Sequence, residues 1–409
     1  MKFELISPEE FETYMLTHPL RDFSMSSAMD PVQAQSGWNS EYAAMKEDGK
    51  ILCATKLLYR QARLGKTAWR APRGFLIDYH DRKLLKTFTD ELSKYIKSKK
   101  GYVLTIDPKV IHIQRDIDGK PVEGGINNEA VTEYLKSIGY DHLGYFTGYD
   151  VSRQPQWVFV KDVKGMSEKD LKKSLSSTTK RWINRAAKFC TVRELDYSEL
   201  YKLDDVIQNT GQRRGFECRD LAYYEQMYQQ FHDKGQVKFL VAEMNVPQKL
   251  AELENELRKE EKKLEKLTPE TTKYTAQQQL IESSRKNLEL LQEVEKNHPG
   301  RETIVLSASM FMTFGPDVEY YFSGSYQEFM HFNAQYLIQW EMMKYAAANG
   351  FDRHNFQGIS GIFDESDPEY GVYKFKRGFG GYVEEYLSEF ELPLSPLYHV
   401  EKLVQKIRK

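Results

Sequence analysis

The chain has 409 residues, more than one ordinary core organises, so two domains or one large composite are expected. Apolar residues make up 40% and aromatics 13%, which excludes a disordered chain, and a net charge of −2 means that any polyanion partner must be met by a local patch. Three widely separated cysteines, Cys53, Cys190 and Cys218, with no C-x-x-C, exclude a disulfide framework and a cysteine zinc site and fit a reducing cytosol.

The N-terminal "MKFELISPEEFETYM" lacks the apolar stretch of a signal peptide. No apolar run approaches the roughly 18–20 residues of a membrane-spanning helix, so a soluble or peripheral protein is expected. "SPEEFETYML" predicts a helix, with Ser7 as N-cap, Pro8 at the first helical position and Phe11, Tyr14 and Met15 at helical spacing. "ILCATKLLYRQARLGKTAWRA" predicts two strands, and "RKLLKTFTDELSKYIKSKKG" an amphipathic helix that ends in lysines and a glycine. "YVLTIDPKV" is a strand closing on Asp107-Pro108. The pattern is mixed α/β, with helices packed on a sheet.

A second run of the same kind begins near residue 154 with the strand "QWVFVKDV" and a basic helix over about 167–189. Its cluster of Lys169, Lys172, Lys173, Lys180, Arg181, Arg185 and Lys188 suits either a phosphodiester backbone or plain solvent, with Leu171, Leu175, Trp182 and Ala186 turned inward. "DDVIQNTGQRRGFECRDLAYYEQMYQQFHDKG" reads as helix, loop, helix. In it Arg219 and Tyr223 share a face that suits a phosphate or carboxylate. After the strand "VKFLVAEM" the pattern is interrupted over 247–297. There Leu250, Leu253, Leu257, Leu264 and Leu267 keep a coiled-coil seam that Glu260 breaks. A second helix, capped by Thr268 with Pro269 in its first turn, carries Leu280, Leu288, Leu291 and Val294. An antiparallel coiled-coil arm projecting about 30 Å is predicted.

Strands "TIVLSASMFMTFG" and "VEYYFSGS" follow, then a helix over about 326–348 with Phe329, Phe332, Tyr336, Trp340, Met343 and Ala347 on its apolar face. Residues 371–381, "GVYKFKRGFGG", alternate in the manner of a short strand. That alternation sends Tyr373 and Phe375 into the core and aims Lys374 and Lys376 together at whatever lies beyond. Gly371, Gly378, Gly380 and Gly381 permit a tight turn or a close ligand.

Several chemistries are absent. Nine scattered histidines without H-E-x-x-H make a metal site unexpected. "RLGKT" at 63–67 fails as a phosphate loop because Arg60 stands where its first glycine belongs. "GISG" at 358–361 lacks the spacing of G-x-S-x-G. The small residue that ends an acetyl-CoA pyrophosphate loop is replaced by Glu217 in "QRRGFE" and by Tyr382 in "RGFGGY".

Taken in order, "PRGFLIDY", "LTIDP", "KRWINRAAK", "RRGFECRDLAYY", the interruption, "YYFSGS", "AQYLIQWEMMKYAAANGFDRHNFQGISG" and "GVYKFKRGFGG" resemble the FemABX family of peptidoglycan aminoacyltransferases over nearly the whole chain. The arm places the resemblance with the FemA-, FemB- and MurM/MurN-like branch. It implies an α/β fold of two tandem GNAT-like domains, the first over 1–153 and the second over 154–246 and 298–395. The arm spans 247–297, and the tail 396–409 packs back on the first domain. The implied reaction moves an amino acid from aminoacyl-tRNA, as co-substrate and with no cofactor, to an amine of lipid II or a UDP-linked muropeptide. A cytoplasmic protein with peripheral contact at the inner membrane face is implied, and the arm leaves a homo-oligomer open.

By motif match, the family's catalytic lysine falls on Lys376, beside Phe375 and Lys374, and Asp107 matches an aspartate considered as a base. Arg219 and Tyr223 match acceptor-phosphate contacts, Tyr320 belongs to the matching "YYFSGS", and Lys180, Arg181 and Arg185 are expected at tRNA. "MSSAMDPVQ" departs from some relatives, with Met29 and Gln33 where they carry a tryptophan and a phosphate-binding lysine. Acyl transfer to another amine, such as a protein N-terminus, and a non-catalytic scaffold that uses the arm for protein contacts stand as alternatives.

Overall fold

The computed structural model describes residues 1–150 and 152–408. The chain starts with β1 (Lys2–Leu5), α1 (Pro8–Thr17), α2 (Asp30–Ala34), β2 (Asn39–Glu47), β3 (Lys50–Gln61) and β4 (Thr67–Ala71). Next come α3 (Arg82–Ser98), β5 (Gly101–Ile106), β6 (Ile111–Gln114), α4 (Glu129–Ser137) and β7 (Asp141–His142). The second run holds β8 (Trp157–Asp162), α5 (Glu168–Ser174), α6 (Ser177–Phe189), β9 (Thr191–Glu194), α7 (Tyr201–Arg214), α8 (Leu221–Phe231) and β10 (Val237–Asn245). A hairpin of α9 (Val246–Leu264) and α10 (Thr272–Asn297) leads to β11 (Thr303–Phe314), β12 (Asp317–Ser325), α11 (Ala334–Ala348) and β13 (Arg353–Ile359). The chain closes with α12 (Tyr370–Arg377), β14 (Tyr382–Tyr386), β15 (Phe390–Pro393) and α13 (Leu397–Arg408).

Local sequence explains most of these elements. Ser7 accepts the Glu10 N–H at 3.2 Å and starts α1, which buries Phe11 and Met15. Asp81 caps α3, whose Leu85, Phe88, Leu92 and Ile96 recur at helical spacing and are buried. Two sheets result, one in the order β1-β2-β3-β4-β5-β15-β7 and the other β6-β14-β8-β13-β12-β11-β10-β9. Hydrogen bonding crosses the expected boundaries: β6, before residue 153, pairs with β14, while β15, before residue 395, fills the place between β5 and β7. The sheets therefore hold one strand of each other's run. Beyond them, α13 lies beside β5, with the Tyr398 hydroxyl donating to Glu391 at 3.0 Å.

Three predicted elements differ in detail. The helix over 326–348 is a 3₁₀ turn, Gln327–Phe332, and then α11, divided by Asn333 in the left-handed region at φ 60°. The basic helix is two, α5 and α6, each with its own serine cap, Ser167 and Ser176. Ile183 takes the buried place on α6, while Trp182 lies half-buried under Arg181. In the hairpin, Thr271 caps α10 in place of Thr268. Ile281 is buried where Leu280, 40% exposed, faces out. Glu260 is satisfied inside the seam by Gln277, whose Nε2 donates at 2.6 Å, and by Lys263 at 2.7 Å. Among the described residues no helix is long and apolar enough to cross a membrane.

The segment 371–381 is the largest departure: α12 is a helix. Its alternation extends over only four residues, and helical spacing pairs Tyr373 with Lys376 on the inner face equally well. Tyr373 packs against Phe159 and Phe363, and Phe375 meets Tyr336 edge-on at 4.7 Å. The glycines end the helix. Gly381 has φ 140°, and a Cβ there would lie 2.2 Å from the Val160 carbonyl oxygen of β8. Gly381→Ala is expected to cost about 1–3 kcal/mol of backbone strain, seen as a lowered urea midpoint at unchanged m-value.

Candidate active site

β12 and β13 run parallel where Asp317, Val318 and Glu319 face Arg353, His354 and Asn355, and they carry no further pairing beyond. Both strands are irregular there. A register shift leaves Tyr321 unpaired against β11, and β13 is irregular between Asn355 and Gly358, with Gln357 at φ 60°. Bulged strands of this kind re-aim side chains beside functional sites. They open a gap in the second sheet, and α12 lies next to it.

Lys376 points into this gap. It is 5% exposed, and its Nζ donates to the carbonyls of Gln357 at 3.0 Å and Gly358 at 2.5 Å. The Tyr320 ring lies 5.9 Å from the ammonium. Tyr320 is in turn fixed by Gln335, whose Nε2 donates to its hydroxyl at 2.7 Å and to Ser309 Oγ at 2.6 Å. Burial alone draws the Lys376 pKa down to about 7. Lys374 does not share this setting. Two positions back on a helix it is exposed, 5.9 Å from the Tyr370 ring, so the pair of lysines expected on one strand face is a single enclosed lysine. Phe375 is half-buried beside it, against Tyr336 and Phe379.

A narrow polar cavity of about 20 Å³ adjoins the gap, between the two sheets, lined by Asp22, Arg73, Lys109, Glu319, Tyr321 and Gln357 among others. Its walls belong to one network of buried ion pairs. Lys109 contacts Asp22 at 3.0 Å, Glu319 at 3.3 Å and Asp317 at 3.8 Å. Arg73 lies 3.6 Å from both Asp22 and Asp107. Arg70 joins Asp107 at 3.1 Å to Glu389 at 2.6 Å, which Arg153 also meets at 3.1 Å. Arg353 joins Asp317 at 2.7 Å to Glu384 at 2.9 Å. Burial opposes the Asp22 charge, yet Lys109, Arg73 and Ser24 hold its pKa below the usual carboxylate range. Burial together with Asp22 and Asp317 pushes Glu319 the other way, against the pull of Lys109 and Arg73. Asp107 sits behind this cavity with Arg70 and Arg73. Its geometry suits holding two guanidiniums in place and not taking a proton from a substrate.

The Arg219 guanidinium lies 5.2 Å from the Tyr223 ring, on α8 and the loop before it. Tyr223 is buried, packs edge-on against Phe322 at 5.7 Å, and shares a hydrogen bond with Tyr321. The unpaired Tyr321 thus links the Arg219–Tyr223 pair to the cavity, and Gln357 links the cavity to Lys376. On the other flank α6 starts against the end of α12, where the Ser176 N–H donates to the Gly378 carbonyl at 2.9 Å. Arg181 stands exposed over Trp182 at 4.6 Å, Arg185 lies 5.9 Å from Phe189, and Lys180 Nζ donates to the Lys173 carbonyl at 3.2 Å. Gln33, at the position of the relatives' phosphate-binding lysine, donates to the Ser24 carbonyl at 3.2 Å and so secures the loop that carries Asp22. Sequence alone missed Glu319, Tyr321, Lys109 and Gln357. Glu319 and Tyr321 alternate in "VEYYFSGS", but nothing local marks Gln357 or Lys109.

Solved structures place this architecture in a class. A tandem GNAT protein from the clavulanic acid biosynthesis pathway superposes with a TM-score of 0.50 at 9% identity, over 97% of this chain and 99% of its own, and defines the fold as two GNAT-like domains in tandem. A crystal structure of FemX superposes with a TM-score of 0.76 at 26% identity, covering 98% of this chain and 99% of that one. The model of the FemAB family matches residues 6–406, and the chain belongs to that family. Aminoacyltransferase FemB of Staphylococcus epidermidis (strain ATCC 12228 / FDA PCI 1200) is 28% identical over 419 residues, spanning 100% of this chain and 99% of the relative. Aminoacyltransferase FemA of Staphylococcus epidermidis is 27% identical over 100% of both.

The desolvated lysine has a thermodynamic signature. Its folded pKa of about 7 lies below the ordinary 10.5, so between those values the unfolded chain binds a proton that the native one does not. Stability from this group therefore rises with pH across that window, by up to about 1.4 kcal/mol per pH unit. Lys376→Met is expected to lose this rise, checked by urea midpoints of both proteins at about pH 7 and about pH 9.

Proposed function

We propose that this chain moves an amino acid from aminoacyl-tRNA to the stem-peptide amine of a peptidoglycan precursor, building the interpeptide bridge. As a member of the FemAB family it is an aminoacyltransferase. The observation that carries the site assignment is Lys376, enclosed at the gap between β12 and β13 and anchored by two backbone carbonyls.

The donor is an ester and brings its own activation, so the reaction calls for no further cofactor. The protein has to align an amine with the ester carbonyl and stabilise the charge that develops on oxygen. Two of the three Lys376 N–H groups are taken by carbonyls when it is charged, which leaves one for the oxyanion or the departing ribose oxygen. A pKa near neutrality also suits it to give that oxygen a proton. Tyr320 and Phe375 shape the apolar side of the gap, Arg219 and Tyr223 hold the acceptor's phosphate groups, and Lys180, Arg181 and Arg185 meet the tRNA backbone. A lipid-linked acceptor brings this cytoplasmic protein to the inner membrane face as a peripheral visitor.

Transfer to lipid II from charged tRNA, run with and without ribonuclease, is the direct test; product that forms after ribonuclease treatment of the donor refutes the reading. Lys376→Met is expected to lower kcat by about 10²–10³ with the fold retained, and near-normal turnover would remove the lysine from its role. Affinity for tRNA should fall log-linearly with salt. Reversing Lys180, Arg181 and Arg185 to Glu should weaken binding and flatten that slope, as measured by fluorescence titration over a salt series.

A further inference from the structure

We propose that Glu319 is a catalytic residue, the group that receives the acceptor's ammonium and takes its proton. This rests on the aminoacyl-transfer reading above. The cavity between the sheets has two carboxylates among its lining residues, Asp22 and Glu319, and their surroundings differ. Asp22 is saturated: it accepts from Ser24 Oγ at 2.7 Å and the Ser24 N–H at 3.0 Å, and it faces Lys109 and Arg73. Glu319 has a single cation within salt-bridge reach, Lys109, and shares it with Asp22 and Asp317. Its other oxygen accepts only the side-chain amide of Gln357.

Among the described ion pairs the network carries an unmatched negative charge. Asp22, Asp107, Asp317, Glu319, Glu384 and Glu389 are joined through Arg70, Arg73, Lys109, Arg153 and Arg353, one cation fewer than carboxylates. An arriving ammonium completes the balance, and Glu319 is the least neutralised carboxylate that the cavity reaches. The groups facing it are Lys109, Arg73, Asp22 and Asp317, and together with burial they leave it the better proton acceptor of the two cavity carboxylates. Gln357 couples the two groups: its side chain donates to Glu319 and its carbonyl accepts from Lys376, so one residue fixes how the carboxylate and the ammonium stand relative to each other.

The step balances. One N–H proton of the ammonium passes to a Glu319 carboxylate oxygen, and the freed lone pair forms the C–N bond at the ester carbonyl. The bond from that carbon to the ribose oxygen breaks, and the ribose oxygen takes a proton from Lys376. The second proton leaving nitrogen restores Lys376, and Glu319 releases its own to water.

Glu319→Gln keeps shape and an amide hydrogen-bond partner while removing the base. At neutral pH the variant is expected to lose at least about 10²-fold in transfer rate. The ratio of wild-type to variant rate should shrink as pH rises and solvent deprotonates the amine, and Lys376 titrates in both proteins, so it cancels from the ratio. An acceptor peptide bearing an aminooxy group, neutral without help, should be used equally well by both proteins. The thermal midpoint should hold or rise, because the substitution removes the unmatched charge. Wild-type transfer by the variant at neutral pH overturns the assignment, and so does an equal loss with amine and aminooxy acceptors, which marks a structural role. A wild-type protein inactive with charged tRNA on both acceptors instead overturns the transfer reading on which the assignment rests.

Discussion

Lys109 stands between Asp22 of the loop after α1 and Asp317 and Glu319 of β12, and its three ion pairs tie the two halves of the fold together. Charges this buried add little net stability, since the loss of water nearly cancels the attraction, but removal of one partner from such a pair typically costs about 3–5 kcal/mol. The arrangement tolerates one geometry and penalises its neighbours.

The same economy of water governs Lys376. Its helix packs Tyr373 into the core, Phe379 follows just beyond the helix end, and the ammonium is left with backbone carbonyls as partners and no carboxylate to restore its charge. Across Gln357, Asp22 and Glu319 share one cavity and diverge: burial opposes both charges, but Lys109, Arg73 and Ser24 outweigh it at Asp22, while Asp22 and Asp317 add to it at Glu319. Burial thus acts on both sides of Gln357, lowering the pKa of Lys376 and raising that of Glu319, where the neighbouring carboxylates add to it.

Much of the fold was legible locally. Ser7 acts within a turn of its own position, and α1 stands where the pattern put it; the hairpin's two helices are also present, though Thr271 caps the second and Ile281 takes the buried place expected of Leu280. The doubled α/β order and the family resemblance led to two GNAT-like domains and to Lys376. What stayed hidden depends on partners far away in sequence. The alternation of Tyr373, Lys374, Phe375 and Lys376 satisfies strand and helix spacing alike, and only packing against Phe159 and Tyr336 decides for the helix. Asp107 was matched to a base, and the partners that occupy it, Arg70 on β4 and Arg73 in the turn after it, lie more than thirty residues away in sequence. Glu319 and Tyr321 gain their setting from a bulge, and the passage of β6 and β15 into the opposite sheets follows no local signal.

That exchange of strands bears on the birth of the molecule. β7 is tied to its sheet through β15, so the amino-terminal sheet stays incomplete until the ribosome has delivered residue 393. Until then β5 offers a bare edge to any passing chain. Closure of that sheet is consequently a late, nonlocal event, slow in the way that such topology imposes.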